Sequence, residues 1–101
     1  MPSAKLSLRA QRDLVAAAAW IKRDNPTAAR ALKRAINAAA IRIGNHPGLG
    51  EVRAELADDA YRFLPVQGFP YVLIYHSTSV PPRIIRILHG ARDLSEALSD
   101  L

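Results

Sequence analysis

The stretch Ile84-Ile85-Arg86-Ile87-Leu88-His89-Gly90-Ala91-Arg92-Asp93 holds the residues with the most chemical capacity. His89 is the side chain in it that titrates near neutral pH, so any proton transfer there falls to it. Arg86 and Arg92 add planar cations that grip carboxylates or phosphates. Gly90 and Asp93 have a simpler explanation. Glycine tolerates positive φ and turns the chain sharply, and Asp93 followed by Glu96 reads as an N-cap with its reciprocal partner, opening a short C-terminal helix. That account leaves His89 and Arg92 over. A lone strand-end histidine is more often satisfied by a hydrogen bond than catalytic, and Arg92 has Asp93 and Glu96 within reach as carboxylate partners. His46 and His76 lack partners at ligand spacing, and the chain has no cysteine. No metal, cofactor or disulfide frame is therefore expected.

The elements that must position these residues are legible from periodicity. Ile84–Leu88 is β-branched and apolar apart from Arg86, the pattern of a central strand covered on at least one face. Lys5–Leu8 alternates like a short half-buried strand. Arg9–Asp24 switches to a helical stripe of Ala10, Leu14, Ala17, Ala18 and Ile21, with Ser7 as a candidate cap. Asn25-Pro26 opens a second helix, capped by asparagine with proline in the first helical position, and Ala29, Leu32, Ile36, Ala39 and Ile43 carry its apolar face to Ile43. Its other face, with Arg30, Lys33, Arg34 and Arg42, is basic, a pattern that more often marks solvated surface than a binding site. Dense alanine lets the two helices approach as a tight hairpin.

Asn45–Gly50 is a loop by its glycine and proline, and Glu51–Ala60 has no clear pattern. Tyr61–Val66 and Tyr71–His76 read as strands joined through Gln67-Gly68-Phe69-Pro70, with Pro65 pushing the first toward a sheet edge. Ser77–Pro82 turns the chain into the strand from Arg83. The expected fold is α+β: a helical hairpin packed on a four-stranded antiparallel sheet, connected β-α-α-β-β-β with strand order 1-4-3-2, plus the C-terminal helix.

The 101 residues amount to a single domain, 1–101. With 14 Lys and Arg against 9 Asp and Glu, the net charge of +5 suits an anionic partner, nucleic acid or an acidic protein segment, without choosing between them. The N-terminus lacks a signal-peptide core and no run approaches a membrane span, so a cytoplasmic protein without a membrane partner is expected.

Several fragments in order resemble the ParE branch of the ParE/RelE toxins: Leu6-Ser7 with Ala10 and Asp13-Leu14, and Asn25-Pro26 with Ala28-Ala29. They continue with Pro47 and Gly50, Arg62 ahead of Tyr71-Val72-Leu73-Ile74-Tyr75, and Leu88-His89-Gly90-Ala91-Arg92-Asp93. The likeness covers nearly the whole chain. It implies a RelE-like fold and the toxin of a type II toxin–antitoxin pair, of the plasmid-stabilization kind, neutralised by a ParD-like antitoxin. It also implies poisoning of DNA gyrase by direct binding, with His89, Arg92 and Asp93 as target-binding residues and no direct nucleic-acid specificity. Leu14, Ala18, Ile21, Leu32 and Ile36 are the apolar candidates for antitoxin binding, in competition with the core.

The RelE branch is similar in fold but cuts messenger RNA on the ribosome. Cleavage through the RNA's own 2′-hydroxyl needs a base, an acid and cations around the transition state. Here the alternative nuclease set is His89 with Arg62, Arg86 and Arg92. The position three before Tyr75, commonly arginine in that branch, is Val72, and Tyr75 in mid-strand reads as packing rather than acid. A non-enzymatic gyrase inhibitor is therefore the expectation. The remaining alternative is a family member that only binds an antitoxin and represses its operon.

Overall fold

A computed structural model describes residues 3–90 and 93–94. The chain runs β1 (Lys5–Leu6), α1 (Leu8–Lys22), α2 (Pro26–Asn45), β2 (Glu51–Val52), β3 (Tyr61–Pro65), β4 (Tyr71–His76) and β5 (Arg83–His89). Both helix starts follow from local chemistry. Ser7 Oγ accepts the Ala10 N–H at 3.1 Å, and Asn25 Oδ1 accepts that of Ala28 at 3.0 Å, with Pro26 where its missing N–H costs nothing.

The sheet has five strands in the order β1-β5-β4-β3-β2. The expected neighbour order holds, but two expectations do not. The patternless segment after the helices contains β2, which pairs antiparallel with β3 through Glu51↔Phe63 and Val52↔Arg62. That extra strand adds one reversal, so β5 returns parallel to β1 rather than antiparallel, with Lys5↔Arg83 and Leu6↔Ile84 in register. The four-stranded antiparallel sheet is thus a five-stranded mixed one. Two residues without alternation give no periodicity to read. Pro65 keeps an outer side without a strand partner, because β2 reaches only Arg62 and Phe63.

β4 is apolar up to the terminal His76 because both its faces are covered. Toward the helices, Tyr71, Leu73 and Tyr75 join Ile84 and Ile87 against Ala10, Ala17, Leu32, Ile36 and Ile43. On the other face, Phe63, Ile74 and Leu88 form a smaller core closed by Leu56, Ala57 and Leu94. Ile84 and Ile87 share a face at a spacing of three because the ladder slips there: Tyr75 pairs with Ile84 but Ile74 with Arg86, leaving Ile85 as the extra residue of a bulge.

Gly90 does not take the positive φ expected of it; among the described residues Gly68 alone does, at 87°, in the β3–β4 turn. Gly90 matters for space instead, since a Cβ there would lie 3.3 Å from Val72 Cγ2. Of the expected C-terminal helix only Asp93 and Leu94 are described; Glu96 and the remainder lie outside the described residues. No helix among the described residues is long and apolar enough to cross a membrane.

Candidate functional site

The arginines and aromatics that could do chemistry are held at separate places. Arg62 on β3 stands opposite Tyr75 on β4. Its Nη1 donates to the carbonyls of Gly50 at 2.7 Å and Gly48 at 3.3 Å. Tyr75 is fully buried; its hydroxyl accepts the Gly50 N–H at 2.7 Å and donates to the Pro47 carbonyl at 2.7 Å. Burial pushes the phenol's pKa above its ordinary value, opposed by the Gly50 N–H and the Arg62 charge. Together these bonds latch the 46–50 loop onto the end of the sheet. Gly50 is required by close approach, because a Cβ there would sit 2.8 Å from Tyr75 Cε1 and 3.1 Å from Arg62 Cβ.

Arg86 is occupied elsewhere. Its Nε donates to Asp13 Oδ2 at 2.8 Å and its Nη2 to Oδ1 at 3.2 Å, a bidentate pair between β5 and α1. The same carboxylate accepts the Ile87 N–H at 2.9 Å. β1 reaches only to Ile84, and past it side chains take over the edge of β5: Ser7 Oγ donates to the Ile85 carbonyl at 3.2 Å, then Asp13 takes Ile87. Nothing in the local sequence pattern of Asp13 marks a partner 73 residues away.

His89 closes β5. Its ring meets Tyr71 edge-to-face at 5.6 Å. Its carbonyl accepts the Asp93 N–H at 2.9 Å, and the Gly90 N–H donates to the Pro70 carbonyl at 2.9 Å, so the turn carrying His89 and Asp93 is anchored to the end of β4. His89 and Asp93 are both half-buried, and Arg92 lies outside the described residues. The register puts His89 opposite Tyr71, four residues along β4 from the Tyr75 level of Arg62, or about 13 Å at strand rise. Of the nuclease set of His89, Arg62, Arg86 and Arg92, His89 and Arg62 are therefore held apart and Arg86 is turned to Asp13, while Arg92 is not among the described residues. His76 Nδ1 lies 2.7 Å from Ser79 Oγ, its ring edge-on to Tyr61, and no metal-holding group of His, Asp and Glu occurs among the described residues.

The helical hairpin presents a different kind of site. Between α1 and α2 lies a groove of about 380 Å³ with Val15, Ala18, Ala19, Pro26 and Ala29 along it and Lys22, Arg30 and Lys33 at its border. Val15 is 68% exposed, and Trp20, stacked under the Arg23 guanidinium at 5.0 Å, is 59% exposed. Of the five apolar residues expected to bind a partner, only Ala18 lines the groove. Leu32 and Ile36 have no exposed surface, since the sheet takes them, and Leu14 and Ile21 are partly buried against the same core. Val15 and Ala19 line it as well. They lie off the buried stripe, and an exposed apolar side chain among small ones was their signal.

The family model described as the ParE toxin of type II toxin-antitoxin system, parDE, matches residues 4–94. A solved chain of the chromosomal ParDE toxin–antitoxin system from P. aeruginosa is similar at a TM-score of 0.72 and 20% identity, over 88% of this chain and 96% of that one. No curated protein sequence matches.

Proposed function

The chain belongs to the ParE toxins of type II toxin–antitoxin systems, and on that premise we propose that it acts in the cytoplasm by docking onto DNA gyrase, without chemistry of its own, and is silenced by a ParD-like antitoxin. The observation that carries this reading is the engagement of the arginines. Arg62 is bound to loop carbonyls about 13 Å along the sheet from His89, and Arg86 is bound to Asp13. A ribonuclease needs its cations around one phosphate, with acid and base beside them. The anchored turn with His89 and Asp93 is the target-binding surface, extended by Arg92. It is held rigid by the Pro70 carbonyl and the Tyr71 ring, as a docking surface of small area requires.

The antitoxin segment is acidic and amphipathic. Its helix lies in the α1–α2 groove, apolar side on Val15, Ala18 and Ala19 and carboxylates on Lys22, Arg30 and Lys33. A strand from the same segment adds to an exposed edge of the sheet.

Purified gyrase, supercoiled plasmid and increasing amounts of the chain test the proposal. The expected result is accumulation of protein-linked cleaved DNA, reduced by His89→Ala and by prior addition of the antitoxin. Intact supercoiling at excess chain, together with new breaks at codon positions in ribosome-bound messages, would establish the nuclease instead.

A further inference from the structure

The positive charge is segregated onto the helical layer. Residues 8–45 carry eight Lys and Arg against two Asp, and the rest of the chain six against seven. Of the two, Asp13 already serves Arg86. α2 has four cations and no acid, and no acidic residue in its first turn to complement the helix dipole. Like charges one turn apart, Arg30 and Arg34, repel.

These cations fall into two sets. Arg30 and Lys33 border the groove, while Arg34 and Arg42 do not line it. Arg34 and Arg42 are both exposed, and neither pairs with a carboxylate among the described residues. They stand about 12 Å apart along the helix and about 80° apart around it. Asn37 and Asn45, exposed on the same helix, add amide donors of the kind that contact phosphate oxygens. A helix laid in the groove covers the side of α2 that carries Pro26, Ala29 and Lys33; Arg34 lies about a quarter-turn round from that side and Arg42 nearly opposite it, so both are left in solvent.

We propose that the outward face of α2, centred on Arg34 and Arg42 with Arg30 and Lys33 beside them, contacts the phosphate backbone of duplex DNA without reading its sequence. The distance between the two arginines covers three to four phosphates of one strand at about 3.4 Å of rise each. Outside the groove Ile41, 52% exposed, is the one large apolar side chain that α2 presents among the described residues, and a single such residue among cations makes attraction there chiefly electrostatic, which suits a polyanion of regular spacing better than an amphipathic peptide. This assignment does not depend on the gyrase reading or on the antitoxin.

The test is fluorescence anisotropy of the full chain with labelled mixed-sequence duplexes as salt is raised from about 50 to about 200 mM. Four phosphate contacts predict an affinity loss of about a hundredfold over that range, and the double variant Arg34→Gln with Arg42→Gln about tenfold, equally for unrelated duplexes. Circular dichroism confirms that the variant is folded, and its unchanged capture of an acidic groove-binding peptide separates this face from the groove. Absence of salt-dependent binding, or a double variant that binds like the parent, would overturn the proposal. So would polyglutamate competing as well as duplex at equal charge, which would assign the face to acidic protein.

Discussion

Gly50 leaves Tyr75 no room for a neighbouring methyl group, and the tyrosine uses that closeness to serve both a donor and an acceptor of the 46–50 loop. Tyr75→Phe keeps the ring and strips the Gly50 N–H and the Pro47 carbonyl of their partner. The expected cost is about 2 kcal/mol in urea unfolding, since groups removed from water must find another partner or go without. The pH dependence has a definite sign. Because burial raises the folded-state pKa, the phenol's contribution is fully present below about pH 10, where the unfolded chain begins to ionise. It is lost as pH rises through the higher folded value. Unfolding midpoints on either side of that window should fall more for the parent than for Tyr75→Phe.

The Asp13–Arg86 pair joins α1 to β5 where the sheet would otherwise have an unfilled edge. Asp13→Ala removes three hydrogen bonds at once and leaves the guanidinium largely shielded from water, so the expected loss is about 3 kcal/mol. Asp13→Asn should lose less, because its remaining carbonyl oxygen still accepts the Ile87 N–H. Replacing both partners by apolar residues, Asp13→Leu with Arg86→Met, should recover part of the loss, as measured by the same unfolding curves. On the outer side of α1 the prediction reverses. Val15→Asp touches no core, so stability should change by less than about 0.5 kcal/mol. Titration calorimetry should nonetheless show antitoxin affinity reduced at least about tenfold, since the change puts a carboxylate on the apolar floor of the groove.

Across the molecule, protection should follow the layering. β4 lies between two strands and two cores, so the amides of Leu73, Ile74 and Tyr75 are expected to exchange hydrogen at rates set by global unfolding. Glu51 and Val52, an edge strand of two residues, should exchange orders of magnitude faster. Uniform protection across both strands, read by exchange mass spectrometry, would contradict the picture of a sheet stabilised from its centre. The helical layer carries a net charge of +6 and the rest of the chain −1, so partners attracted by positive charge meet the hairpin first.

Much of this architecture was written in short-range patterns. Ser7 and Asn25-Pro26 start their helices through bonds within three residues, and the alanine-rich stripes and apolar strands identify themselves by period. The ordered fragments from Leu6 to Asp93 carried the family with them. What those patterns do not contain is anything settled by chain segments meeting from a distance. The pairing of Glu51–Val52 with β3 reversed the direction of β5 relative to β1, though two residues have no period of their own. Arg86 found its carboxylate 73 positions away, which withdrew it from any nuclease constellation. Packing also divided the apolar residues of the hairpin, giving Leu32 and Ile36 to the sheet and leaving Val15 and Ala19 exposed along the groove. Caps and periodicity act over a few residues, where the chain's connectivity supplies the contact. Register, ion pairs across layers and the choice of buried face depend on which surfaces remain once everything else has been packed.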